Sequence, residues 1–163
     1  MQDPITKLIR IVAEESDQEK VYSCAEDVLQ SQIGHRLFTV LLYEPSYKLV
    51  SRCYSSDPEH FPVGGNKILG ETLWGREVLK GGKTLMSRNR EELKMVYPDY
   101  SLLFSLGLGS AVNIPVKSGG RTLGMLNLLH DEYFYTREKL KDADLIAGLL
   151  AGTFSQVSEA MYA

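Results

Sequence analysis

The chain is poor in the residues that cross-link or metallate small folds. Its 163 residues include two cysteines, Cys24 and Cys53, which make neither a disulfide framework nor a Cys-x-x-Cys pair. A reduced, cytoplasmic protein is expected from that. The three histidines, His35, His60 and His130, are isolated and lack metal-ligand spacing, so no metal or other cofactor is expected. No apolar run approaches the roughly 20 residues that a membrane helix requires. The opening Met1-Gln2-Asp3-Pro4 has no basic segment followed by an apolar one, so no signal peptide is expected. Basic residues are not in excess either, with Lys and Arg totalling 18 against 21 Asp and Glu. Nucleic acid is therefore not an expected partner, because phosphate binding needs clustered cations. The strongest local excess, Lys83, Arg88, Arg90 and Lys94, is half cancelled by Glu91 and Glu92.

What is present is a globular balance, 44% hydrophobic and 24% charged residues. A chain of this size buries about 70% of its unfolded surface, enough for a core without staples. At roughly 100–200 residues per domain, residues 1–163 are expected to form one domain.

Ile5, Leu8, Ile9 and Val12 recur at helical spacing and predict an opening helix within 1–15. Ser16-Asp17-Gln18-Glu19 reads as a capping box with Ser16 as the cap. It leads into a stripe of Val21, Ala25, Val28, Leu29 and Ile33 that Gly34 ends. Residues 36–44 change to strand period, with Phe38, Val40 and Leu42 alternating against Thr39, Leu41 and Tyr43, and a second strand near 47–54 completes a hairpin. Residues 55–68 read as a loop. A helix is predicted over 71–80, stopped by Gly81-Gly82, and a short strand over 83–87. In 88–108, Asn89-x-x-Glu92 can cap one turn, Pro98 breaks it, and 102–106 allow another. Val112, Ile114 and Val116 alternate along one strand, Ser118-Gly119-Gly120 supplies a tight turn, and 123–129 return. Thr136 is expected to cap a long final helix carrying Leu145, Ile146, Leu149, Leu150, Phe154, Val157 and Met161. Its apolar arc is wider than one sheet contact needs, which suggests a second helix partner. This order predicts an α+β fold: a central antiparallel β-sheet of five to six strands, terminal helices on one face and inserted short helices and loops on the other.

The run Leu106-Gly107-Leu108-Gly109-Ser110-Ala111-Val112-Asn113-Ile114-Pro115-Val116, then Gly119-Gly120 and Leu123-Gly124-Met125-Leu126-Asn127, resembles the last sheet hairpin of GAF domains. Gly64 to Gly82 is similar to the family's glycine-punctuated helix. Tyr135-Thr136 with Leu145-Ile146-Ala147 matches its entry into the last helix. The resemblance covers about 20–157. It implies a sensor or regulatory domain with a pocket between the sheet and the inserted helices, and terminal helices that pair two subunits. The same fold hosts unrelated ligands, so the chemistry has to be argued from the site.

Free methionine sulfoxide reduction, found in a few GAF-like proteins, needs a nucleophilic and a resolving thiol at the pocket. No cysteine follows Cys53, so residues 60–108 contain none. Covalent bilin attachment fails on the same ground, and no enzymatic activity is expected. Cys24 and Cys53 read as small buried hydrophobes. The Asn-Lys…Phe…Asp-Glu motif of cyclic-nucleotide-binding members starts at Asn66-Lys67, but Gly70 stands at the Phe position and Trp74-Gly75 replace the acidic pair. Gly82-Lys83-Thr84 has Glu77 where a phosphate-binding loop needs glycine, and it leads into a strand.

Non-covalent binding of a small molecule is the expected role. Alternation puts Ala111, Asn113 and Pro115 on one strand face together with Met125, Asn127 and Leu129, and the family pattern makes that face the pocket floor. Asn113 and Asn127 would then offer donors and acceptors to a ligand, or bond to each other and fix a loop. Trp74, Tyr97, Tyr100 and Phe104 fall in the segments that roof the pocket. Tyr97 and Tyr100 are read as ligand contacts, and Trp74 and Phe104 as contacts or as core between helices and sheet. Arg52 and Tyr43 complete the candidate set; the sheet face of Arg52 is left open, a surface cation being the ordinary state of arginine. His60, beside Asp57 and Glu59, is expected to be solvated. Ile5, Leu8, Phe154, Val157 and Met161 are expected to stay exposed in a monomer, which predicts a homodimer through the terminal helices. A signal would pass through those helices to a separate output protein, unless the chain is a fragment. Two rival readings stand beside this one: a structural dimerisation module whose pocket its own side chains fill, and a pocket enzyme whose chemistry no recognised motif announces.

Overall fold

The computed structural model describes residues 3–162, with side chains through Gln156. Helix α1, Pro4–Glu14, starts where Asp3 accepts the Thr6 amide at 3.2 Å and Pro4 presets the first turn. Helix α2, Gln18–Gln32, is capped by Asp17, which accepts the Glu19 amide at 3.0 Å. The expected Ser16 cap is therefore displaced by one residue. The Glu15 carboxylate takes the Asp17 amide at 3.2 Å, which sets Asp17 rather than Ser16 at the helix mouth.

Strands β1 (Leu37–Glu44), β2 (Leu49–Ser55), β3 (Lys67–Ile68), β4 (Leu85–Ser87), β5 (Ser110–Ser118) and β6 (Arg121–His130) form one sheet in the order β3-β2-β1-β6-β5-β4. All neighbours run antiparallel. The expected loop 55–68 thus contributes the sixth strand at its end. The helix expected over 71–80 is instead a wide π-helical turn over Gly75–Lys80, in which Gly81 N–H reaches back five residues to the Arg76 carbonyl at 2.9 Å. Between the sheet segments lie α3 (Arg90–Val96), capped by Asn89 accepting from the Glu92 amide, and α4 (Tyr100–Ser105).

The expected long final helix is divided. Thr136 Oγ1 meets only the Lys139 amide, at 3.4 Å, ahead of a 3-10 turn over Glu138–Leu140. Helices α5 (Ala143–Leu149) and α6 (Ala151–Tyr162) follow, separated by a step at Leu150. The Leu150 amide there bonds the Ala147 carbonyl three residues back instead of four.

One sheet face carries Phe38, Val40, Leu42, Val112, Ile114, Val116, Leu126 and Leu128, packed beneath α2, α5 and α6. The other packs Leu37, Ala111 and Leu129 under α3 and α4, and Tyr43, Val50 and Met125 under the π-helical turn. Of the side chains expected to stay exposed, Leu8 and Phe154 are fully buried and Ile5 is half-buried. The reason is tertiary: α1 folds back onto α2 and α5, and Gly124 leaves the sheet surface open where the Phe154 ring sits. The side chains of Val157 and Met161 lie outside the described residues. Among the described residues no helix is long and apolar enough to cross a membrane.

Candidate functional site

A cavity of about 350 Å³ lies between the second sheet face and the segments that cover it. Its floor comes from alternate residues of three strands: Thr39 and Leu41 of β1, Met125 and Asn127 of β6, Val50 and Arg52 of β2. Its cover comes from Phe61 and Lys67, from Thr72 and Trp74, and from Tyr97, Pro98, Asp99 and Leu103 around α3 and α4. Apolar walls with a few converging polar groups are the ordinary makeup of a small-molecule site, and the volume sits at the lower end of the roughly 300–1,000 Å³ range.

Sheet register builds the polar part. Thr39 stands opposite Asn127, and Asn127 opposite Asn113, so three polar side chains form one row across β1, β6 and β5. Asn127 Nδ2 donates to Thr39 Oγ1 at 3.1 Å, and Asn113 Nδ2 donates to Asn127 Oδ1 at 2.7 Å. From the cover, the Tyr97 hydroxyl accepts a second bond from Asn113 Nδ2 at 2.7 Å. Both amides are buried, and buried polar groups have to be paired. Among the described residues the Asn113 Oδ1 atom has no partner. Burial pushes the Tyr97 phenol up to about 12, with the Asn113 hydrogen bond pulling the other way.

Arg52 turns towards the cavity, not outward as a surface cation. Val40 pairs with Tyr54 and Leu41 with Arg52, so Cys53 is the extra residue of a β-bulge. The guanidinium donates to the Pro62 carbonyl at 3.2 Å and stands 5.7 Å from the centroid of the Phe61 ring. Burial lowers its proton affinity, while Asp99 and then Tyr97 act in the opposite direction.

Of the candidate residues, Arg52, Trp74, Tyr97 and Asn127 therefore line the cavity together. Asn113 stands beside the lining on the next strand, β5, bonded to Tyr97 and Asn127. Tyr100 and Phe104 do not join the lining. Their rings pack on each other at 5.5 Å, with Lys94 over Tyr100 and Arg90 over Phe104. Tyr43 shares the strand face but sits further along it, where Val50, Val78, Leu79 and Met125 cover it. Thr39, Lys67, Thr72 and Asp99 line the cavity and were missed. Thr39 was readable as the small hydroxyl among Leu37 and Leu41 on the cavity face of β1; Lys67 lies on a two-residue strand, and Thr72 and Asp99 come from connecting segments, all too short to show periodicity. His60 pairs with Asp57 at 2.8 Å, half-exposed and away from the cavity.

Both thiols sit on the opposite sheet face, in or against the core beneath the helices. Burial raises the Cys24 thiol and pushes the Cys53 thiol up to about 12. Among the described residues, no three His, Cys, Asp or Glu side chains gather to hold a metal ion.

No curated protein matches the sequence closely enough to be informative. Solved structures do match the fold. The GAF domain of a phosphoenolpyruvate-protein phosphotransferase from Coxiella burnetii is similar with a TM-score of 0.76 and 14% identity, over 96% of this chain and 93% of that one. The GAF domain of a two-component sensor histidine kinase from Bacillus halodurans gives 0.72 and 15%, over 88% and 97%. The free methionine-R-sulfoxide reductase from Neisseria meningitidis, in complex with its substrate, gives 0.71 and 16%, over 96% and 89%. At these identities the likeness establishes the fold alone. The family model described as the GAF domain matches residues 17–155, a span that includes the whole sheet and the cavity, and the chain belongs to the GAF domain family.

Proposed function

We propose that this chain is a sensory or regulatory GAF domain that binds a small molecule non-covalently in the cavity above Thr39 and Asn127. The observation that carries the reading is the open cavity itself, floored by a hydrogen-bonded polar row in an otherwise apolar sheet. A structural module would gain more by filling that space with side chains, because voids forfeit packing contacts. Its thiols stand behind the sheet, so reduction of a bound sulfoxide lacks a nucleophile there, and we propose no enzymatic role.

Binding orders the cover. Phe61 is already anchored in the core, whereas Val63 and Ile68 beyond it are exposed. Closure therefore falls on residues 62–72, with residues 88–108 held by Arg88–Glu92 at 2.8 Å and by Arg36 bonds to the Leu106 and Gly107 carbonyls. The signal crosses the sheet because Asn127 alternates with Leu126 and Leu128, which support the terminal helices. Those helices pair two copies of the chain in the cytoplasm, with Ile9 and Leu145 as exposed apolar contacts, and act on a separate output protein.

The test uses Trp74, the single tryptophan of the chain. Titration with a size-fractionated small-molecule extract of the host is expected to change its fluorescence saturably, and Asn127→Leu is expected to abolish the change. Fluorescence that never saturates contradicts the reading. Sedimentation at several concentrations tests the dimer, which a concentration-independent monomer would refute.

A further inference from the structure

Resting on that pocket reading, we infer that the ligand is a small monocarboxylate, its carboxylate held by Arg52 and Lys67 and its apolar body lying against Trp74 and Phe61. The cavity lining contains two cations, Arg52 and Lys67, and one carboxylate, Asp99, so its formal balance is plus one. A guanidinium offers a planar fork of donors. Arg52 spends one nitrogen of this fork, Nη1, on the Pro62 carbonyl at 3.2 Å, and among the described residues no carboxylate lies within ion-pair distance of it. A cation drawn partly out of water with no carboxylate paired to it is costly until an anion joins it. A carboxylate matches the fork two bonds at a time.

The uncharged groups point the same way. Thr39 Oγ1 accepts from Asn127, and the Tyr97 hydroxyl accepts from Asn113. With the amides oriented as in the structure, each hydroxyl keeps its own hydrogen to donate. The polar lining is thus rich in donors, and the complementary ligand brings acceptors. An ionised carboxylate is acceptor-only. Asp99 beside Arg52 disfavours a dianion such as a phosphate monoester, because a second negative charge would face it. Leu41, Val50 and Met125 complete an apolar wall that a fully polar anion would leave unused. The volume of about 350 Å³ suits a single ring or short chain.

The experiment compares acids with their uncharged amides of matching shape: phenylacetate with phenylacetamide, hexanoate with hexanamide. Trp74 fluorescence reports occupancy in the intact protein, and circular dichroism checks the fold of each variant. At neutral pH the acids are expected to bind at least tenfold more tightly than the amides. Arg52→Gln is expected to weaken the acids at least tenfold and to leave the amides unchanged, with Arg52→Lys in between. Lys67→Gln, on an exposed two-residue strand, is expected to weaken the acids several-fold without disturbing the fold. Equal binding of acid and amide, or a folded Arg52→Gln that keeps full affinity for the acids, overturns the anion while leaving the pocket standing. A Trp74 signal that responds to no member of either series overturns both.

Discussion

The ring of Phe154 occupies the space that a side chain at position 124 would need. A Cβ on Gly124 would stand 2.7 Å from Phe154 Cε2 and would press on the Leu41 carbonyl. Helix α6 is thereby seated directly on β6, and Met125 and Asn127, one and three positions further on, turn to the cavity side. We expect Gly124→Ala to lower stability by about 1–3 kcal/mol through overpacking. Urea denaturation measures it, with an unchanged slope and a lower midpoint. A neutral result would mean that α6 is not seated there.

The polar row makes a second prediction. Removing the Asn113 amide leaves Asn127 Oδ1 and the Tyr97 hydroxyl without their donor. Asn113→Ala should cost about 1–3 kcal/mol. Tyr97→Phe alone should cost about 1 kcal/mol. In the double variant the losses should fall short of their sum by at least about 0.5 kcal/mol, because the two share one bond. Strict additivity in a double-mutant cycle would contradict the bond.

Acid should destabilise the fold early. His35 is 4% exposed, its Nδ1 has no partner among the described residues, and Nε2 stands 3.5 Å from Glu26 Oε2. Burial lowers its proton affinity more than Glu26 and Asp27 raise it. The unfolded chain, with a histidine near 6.5, therefore takes up the proton first as pH falls. The stability due to neutral His35 is complete above about pH 6.5 and is lost as pH drops through the lower folded value. His130, also lowered by burial, adds in the same direction. Urea midpoints should fall between pH 7.5 and pH 5, and His35→Gln should flatten the decline. A wild-type midpoint that is level over this range would contradict the account.

The thiols should be silent in the folded protein. With Cys53 pushed up to about 12 and Cys24 also raised, little thiolate exists at pH 8. A disulfide reagent should label both slowly when the protein is native and rapidly after unfolding in urea. Turnover of free methionine sulfoxide with dithiothreitol should not exceed the protein-free blank. Rapid native labelling or steady turnover would contradict the placement of the thiols behind the sheet.

Much of this arrangement was written in strand periodicity. Asn113 and Asn127 lie on the cavity face because β5 and β6 alternate regularly there, and the same alternation assigns Val112, Ile114 and Val116 to the helix side. Arg52 was not readable in this way. The bulge at Cys53 breaks the phase of β2, so Arg52 and Tyr54, two residues apart, serve opposite faces: Arg52 the cavity, Tyr54 the core and the Glu26 carboxylate at 2.6 Å. Leu8 and Phe154 looked surplus because their partners arrive from distant segments. Tyr100 and Phe104 belong to a roof segment, but a six-residue helix shows only one face to the cavity, and Leu103 takes it. Local pattern carries a face; it carries neither a bulge nor the rotation of a short helix.

The most direct test of the central claim is native mass spectrometry of the protein purified from its own host, followed by denaturation to release whatever is bound. The account predicts a dimer carrying one small molecule per chain, released on unfolding and absent from Asn127→Leu purified in parallel. A protein that sprays at its bare mass, together with a crystal structure in which Trp74 and Tyr97 fill the space above Thr39 and Asn127, would contradict it.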